Sequence, residues 1–206
     1  MSRLYALLAL AVVIAAVGGT WAAVIIHRPV DQFTGCRTGA VAGGHTQIGG
    51  SFELMNPDGE IVTERDVIRE PTLIYFGYTF CPDVCPLDTT RNAEAIDILA
   101  QSGYSATPVF ISIDPERDTP DVVGEYVAHI HDKLVGLTGT LEQVKGASEA
   151  FRTYYRKHQS DDDFYLVDHS TFSYLVLPEH GFVEYFRRGI GASELAETIA
   201  CFIDKA

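Results

Sequence analysis

Cys81-Pro82-Asp83-Val84-Cys85-Pro86 places two thiols four residues apart between two prolines. Proline disfavours a helical backbone at the residue before it and suits the first helical position, so Pro86 predicts a helix start with both thiols in the turn that enters it. There, unpaired backbone N–H groups and the positive end of the helix dipole favour thiolate over thiol. Two adjacent thiolates have two natural uses, a reversible disulfide or a soft metal site. An inert disulfide bracing a loop is the plain alternative, yet a brace does not need a helix amino terminus flanked by prolines. Structural zinc usually takes four ligands, and no second cysteine pair lies at zinc-site spacing. Copper(I) accepts fewer donors and prefers sulfur, so the pair asks for one further ligand.

Seven histidines could supply it. His129 and His131 are two apart on an expected helix and face different ways. His158 and His180 sit in polar loop contexts, and His27 and His45 lie in the segment before the domain. His169 differs, because Val167-Asp168-His169-Ser170-Thr171 runs into an apolar stretch that reads as a strand. It is the expected third ligand. Met1 and Met55 are the only methionines, so a metal site must rest on cysteine and histidine. Two further cysteines, Cys36 and Cys201, make an even count, which in an oxidising compartment predicts a second disulfide tying the stalk to the last helix. Phe33-Thr34-Gly35-Cys36 is a faint lipoprotein box, but it lies beyond the charged Arg28 and Asp31.

Several elements must position these residues. Phe52-Glu53-Leu54-Met55 and Ile61-Val62-Thr63 flank Asn56-Pro57-Asp58-Gly59, whose turn chemistry predicts an opening hairpin. Residues 71–78 read as a buried central strand leading into the cysteines, followed by a helix of about 15 residues carrying Ala93, Ile96, Leu99 and Ala100 on one face. Residues 109–113 form a second buried strand. Thr119 is the N-cap of the next helix, with Pro120 at its first position. Residues 134–137 are a third strand, and Thr140 with Gln143 makes a capping box for a helix expected to run to about Lys157. Residues 174–177 and 182–186 form a closing hairpin, and a last helix covers about 193–203. Strands alternating with helices, then a hairpin and a helix, describe an α/β sheet covered on both faces, for which a thioredoxin-like arrangement fits the order. Ligand chemistry in such sheets sits at the carboxyl ends of strands, where the cysteine motif falls.

Leu4 to Ile26 carries no charged side chain, long enough for a spanning helix across the ~30 Å hydrocarbon core, with Trp21 near its outer end. A cleaved signal peptide competes, but its apolar region is usually shorter and no clean cleavage site stands near Gly18 to Ala23. The expected organisation is a short cytoplasmic amino terminus (1–3), a transmembrane anchor (4–26), a Gly- and Thr-rich stalk (27–50) and one domain (51–206). A composition 47% hydrophobic supports a single sizeable core, and a net charge of −13 makes nucleic acid and anionic lipid poor partners.

Gly77-Tyr78-Thr79-Phe80-Cys81-Pro82-Asp83-Val84-Cys85-Pro86, then Ile111-Ser112-Ile113-Asp114-Pro115-Glu116-Arg117-Asp118-Thr119-Pro120 and Val167-Asp168-His169-Ser170, resemble the Sco/SenC copper chaperone family from about Ile48 to the carboxyl terminus. The resemblance implies copper bound by Cys81, Cys85 and His169 and a domain on the periplasmic or intermembrane-space side. It further implies a partner in the copper-centre subunit of cytochrome c oxidase, and a copper donor of unknown identity. Asp83 and Asp114 match family positions near the site, as modulators of charge or as turn residues. A metallochaperone rather than an enzyme is expected. The rival is a membrane-tethered thiol–disulfide reductase, against which stands the lack of a proline at Asp168-His169-Ser170-Thr171. A peroxidase would need an arginine, for which Arg91 is the nearby candidate, and a copper or redox sensor is the third class.

Overall fold

The structure, a computed structural model, describes residues 2–26, 31–37, 47–158 and 164–206. It divides into two compact units, Met1–Gly35 and Cys36–Ala206. The first holds helix α1 (Ser2–Ile26), whose described side chains are exposed. Among the described residues no helix is long and apolar enough to cross a membrane. The expected anchor over residues 4–26 is thus not established by the fold. The stalk expected over 27–50 lies largely outside the described residues.

In the second unit, β1 (Glu53–Met55) and β2 (Ile61–Thr63) pair antiparallel as the opening hairpin. Gly59, at φ +78°, closes their turn in a conformation that side chains resist. A four-residue helix α2 (Glu64–Val67) follows, which the sequence reading does not contain. The main sheet is built from β3 (Thr72–Gly77), β4 (Thr107–Ser112), β5 (Val135–Leu137), β8 (Ser173–Leu177) and β9 (Gly181–Phe186) in the order β5-β4-β3-β8-β9. β3, β4 and β5 are parallel, while β8 and β9 run antiparallel as the closing hairpin. All six residues of β3 are buried, as a central strand covered on both faces requires.

Helix α3 (Val84–Gln101) packs against α4 (Pro120–Ile130) and against α6 (Ala192–Lys205). Thr119 caps α4 as expected, its hydroxyl accepting from the Val122 N–H. The Thr140 and Gln143 capping box opens α5 (Leu141–Ala150). This helix does not continue to Lys157. Arg152 adopts φ +51°, and the Thr153 N–H donates to the Ser148 carbonyl while the Arg152 N–H donates to that of Glu149, a left-handed helix end made without glycine. Residues 155–157 instead form β6 (Tyr155–Lys157), paired antiparallel with β7 (Val167–His169) in a ribbon separate from the main sheet. Cys36 and Cys201 are bonded, with their Cα atoms 5.7 Å apart, so the start of this unit is stapled to α6.

Candidate metal centre

The cysteines sit where the central strand ends and α3 begins. Helix α3 starts at Val84 with Asp83 as its N-cap residue, so Cys85 lies within the first helical turn rather than ahead of it. Pro86 is tolerated there because the first N–H groups of a helix have no partner within it. Gly77, the last residue of β3, makes room for the Cys85 sulfur. A Cβ at that position would lie 3.0 Å from Sγ, 2.9 Å from the Tyr75 ring and 3.0 Å from the Phe110 ring. A glycine at the end of a buried strand marks such a close approach, the one signal in the sequence that could have located this contact.

His169, the last residue of β7, reaches the same place from the ribbon. Its Nε2 lies 3.3 Å from Cys85 Sγ, and its Nδ1 lies 2.9 Å from the Ser170 carbonyl. A carbonyl only accepts, so Nδ1 carries the proton and Nε2 turns its lone pair toward the sulfurs. The rings of Tyr75 and Tyr78 meet the imidazole edge-on at 6.2 and 5.8 Å. Tyr75 is buried, donates to Asp88 at 3.1 Å, and holds its proton well above the usual phenol range because of that burial. Neither tyrosine is among the residues singled out from the sequence.

The two thiols are electrically unlike. Cys81 is pulled down to about 3 by the hydrogen bond from the Cys85 thiol, helped by the backbone N–H groups of Asp83 and Cys85, against the effect of burial. Cys85 is pushed far up by that same bond to the Cys81 thiolate and by its burial. The Cys85 N–H also lies 3.4 Å from Cys81 Sγ. At neutral pH the pair therefore holds one thiolate and one thiol.

Cys81, Cys85 and His169 bring three ligand atoms within 4.8 Å of one another, and among the described residues no other such group of His, Cys, Asp or Glu occurs. Two sulfurs and a nitrogen, largely buried, form a soft set of low coordination number suited to copper(I). Zinc with an open fourth position is the chemical competitor for such a set.

The remaining candidates lie elsewhere. Asp83 is exposed and contributes a backbone N–H, whereas Asp114 is buried and bonded to Arg117 and Tyr165. Arg91 is committed to Asn92 and Ser173. His129 bonds the Glu125 carbonyl, His131 meets Asp97 and His158 meets Asp168. His180 lines an apolar cleft with Ile48, Ile68 and Phe182, and His27 and His45 fall outside the described residues.

Residues 40–204 match the SCO1/SenC family profile. The chain is 45% identical over 203 residues to protein SenC of Rhodobacter capsulatus, covering 98% of this chain and 91% of that protein. It is 45% identical over 157 residues to the mitochondrial SCO1 homolog 1 of Arabidopsis thaliana, covering 76% of this chain and 47% of the relative. Among solved structures, Arabidopsis thaliana ScoI with copper bound is 43% identical with a TM-score of 0.72, over 76% of this chain and 99% of that one. These solved relatives carry the thioredoxin-like α/β arrangement found here, and with the profile spanning most of its length the chain belongs to the SCO1/SenC family.

Proposed function

We propose that this chain is a metallochaperone that takes up one copper ion on Cys81, Cys85 and His169 and helps to assemble the dinuclear copper centre of cytochrome c oxidase. The observation that carries this reading is the convergence of two sulfurs and an aimed imidazole lone pair at one buried point. Copper is the cargo. On uptake the Cys81 thiolate and His169 Nε2 offer lone pairs at once, and the Cys85 thiol gives up its proton as its sulfur binds. Release to a partner reverses these steps. The partners are the copper-centre subunit of the oxidase and a copper donor, as the family resemblance implies.

The sequence from Leu4 to Ile26 carries no charged side chain over a stretch of the length that a spanning helix needs. With no charge from Leu4 onward and Trp21 exposed, α1 supports a single-pass anchor in the inner membrane. The Cys36–Cys201 disulfide supports placing the domain in the periplasm, or in the intermembrane space of a mitochondrion.

One feature favours a second reading, a thiol–disulfide reductase that prepares the oxidase cysteines: the hydrogen bond from Cys85 holds the Cys81 thiol well below the usual thiol range. Against it, no proline stands in Asp168-His169-Ser170-Thr171, where thioredoxin-type oxidoreductases generally carry one. The test is a titration of the reduced full chain with copper(I) against a chromophoric competitor, followed by transfer to the oxidase copper domain. One tightly bound ion per chain, delivered intact, supports the chaperone. Reduction of the acceptor's disulfide without copper transfer overturns it.

A further inference from the structure

The two carriers of the donor set are joined by one short turn, residues 113–119, between β4 and α4. On one side, the buried Asp118 carboxylate accepts from the Thr79 N–H at 3.0 Å, the Thr79 hydroxyl at 2.5 Å and the Ser112 hydroxyl at 2.5 Å. Thr79 stands two residues before Cys81, so Asp118 fixes the approach to the cysteine turn. Asp118 is itself held from behind, its carbonyl accepting from the Thr138 hydroxyl at 2.6 Å.

On the other side, Arg117 donates through Nε to Asp114 at 2.5 Å and through a terminal nitrogen to the Tyr165 carbonyl at 3.0 Å. Its guanidinium lies 3.5 Å from the centroid of the Tyr165 ring and more loosely over Phe80 at 4.8 Å and Tyr78 at 5.7 Å, and the Tyr165 hydroxyl donates back to Asp114 at 2.6 Å. Tyr165 stands two residues before the start of β7, and just beyond it the Leu166 carbonyl accepts from the His158 N–H at 2.9 Å and the Val167 N–H lies 3.4 Å from the Tyr78 hydroxyl. A planar cation stacked on a ring and bonded at its edges fixes orientation in a way a point charge cannot.

We propose that this turn sets the gap between the nitrogen donor and the sulfur pair, with Asp118 positioning the cysteine turn and the Asp114–Arg117 pair positioning the His169 ribbon through Tyr165. The inference rests on the copper-site reading for its purpose, not for its geometry. Outer partners that orient metal ligands typically matter by about 10- to 100-fold in affinity, and Arg117→Ala is expected to weaken copper(I) binding by that amount. The rate of Cys81 alkylation should change less than the copper affinity, because the Phe80 contact is looser than the Tyr165 stack. Arg117→Lys keeps the charge beside Asp114 but loses the stack and the bond to the Tyr165 carbonyl, so it falls between the two. Tyr165→Phe keeps the ring and loses one bond, and its effect is the smallest.

The decisive experiment measures these affinities on the full chain together with backbone hydrogen exchange, resolved by segment, without metal. Arg117→Ala should speed exchange at Val167 to His169 more than around Cys81 to Cys85, while Asp118→Asn should do the converse and alter Cys81 alkylation more than Arg117→Ala does. Wild-type exchange in the ribbon of a folded Arg117→Ala protein overturns the proposal, as does equal loosening of both segments. Should Arg117→Ala fail to fold, Arg117→Lys and Tyr165→Phe carry the same two readouts. A wild-type chain that binds no copper sinks the chaperone reading, while the exchange pattern still decides whether the bracket exists.

Discussion

The cysteine turn and the histidine ribbon deliver donors to one point by opposite means. Cys81 and Cys85 stand at the junction of the central buried strand and a long helix, with one sulfur resting on the Gly77 backbone and flanked by the Tyr75 and Phe110 rings. His169 ends a three-residue strand in a two-stranded ribbon outside the main sheet, held by Arg117 from the turn after β4 and by the Tyr78 hydroxyl. The sulfur half is built into the central strand and its helix. The nitrogen half stands on two strands of three residues each. On the proposed reading the sulfurs should govern whether an ion is held, and the ribbon how firmly and for how long.

The sharpest test of that division removes a sulfur. Cys81→Ser or Cys85→Ser is expected to abolish tight copper(I) binding in competition titrations, since a hydroxyl does not replace a thiolate for a soft ion. Retention of tight binding by either variant would break the site assignment. His169→Ala should weaken binding by at least about 100-fold, more than the loss of an outer partner, yet leave a reversible Cys81–Cys85 disulfide. Comparable loss in the histidine and cysteine variants would erase the distinction between the halves.

A third test loads the rigid half alone. Gly77→Ala drives a methyl group against the Cys85 sulfur and two aromatic rings, and should cost about 1–3 kcal/mol in unfolding free energy. Copper affinity should fall with it, because the sulfur itself must shift. The smallest effect is that of pH. With Cys81 already a thiolate and Cys85 holding its proton, each ion bound near neutrality displaces one proton. Apparent affinity should therefore rise about tenfold per pH unit as pH increases near neutrality, and fall more steeply in acid, where further ligand atoms take up protons. Proton release measured on mixing checks the count.

The chemistry was more legible in the sequence than the frame that aims it. Runs such as Leu73-Ile74-Tyr75-Phe76 and turn residues such as Asn56-Pro57-Asp58-Gly59 act locally, so the sheet and its hairpins could be read from neighbours alone. The end of α5 could not, because Arg152 stands in a left-handed conformation usually marked by glycine. The ribbon was missed with it, since three-residue strands leave no periodic signal. Asp114 and Arg117 were visible as part of a motif, but their partner Tyr165 lies 48 residues beyond Arg117, and no spacing rule connects them. Two tyrosines beside an imidazole are likewise a product of topology, not of pattern.

The Cys36–Cys201 bond has a consequence for biogenesis. Its partners are 165 residues apart, while Cys81 lies less than a third as far from Cys36 along the chain. In an unfolded chain, loop closure alone would favour joining Cys36 to Cys81 or Cys85 over Cys201 by about 1 kcal/mol. The packing of α6 against α3 reverses that preference by bringing Cys201 to Cys36 and leaving the other two thiols buried and free. Because Cys201 stands in α6, 165 residues beyond Cys36, the correct bond can close only after every strand of the main sheet has been synthesised. Its closure therefore records that the sheet has been made in full, and it leaves Cys81 and Cys85 as the free thiols.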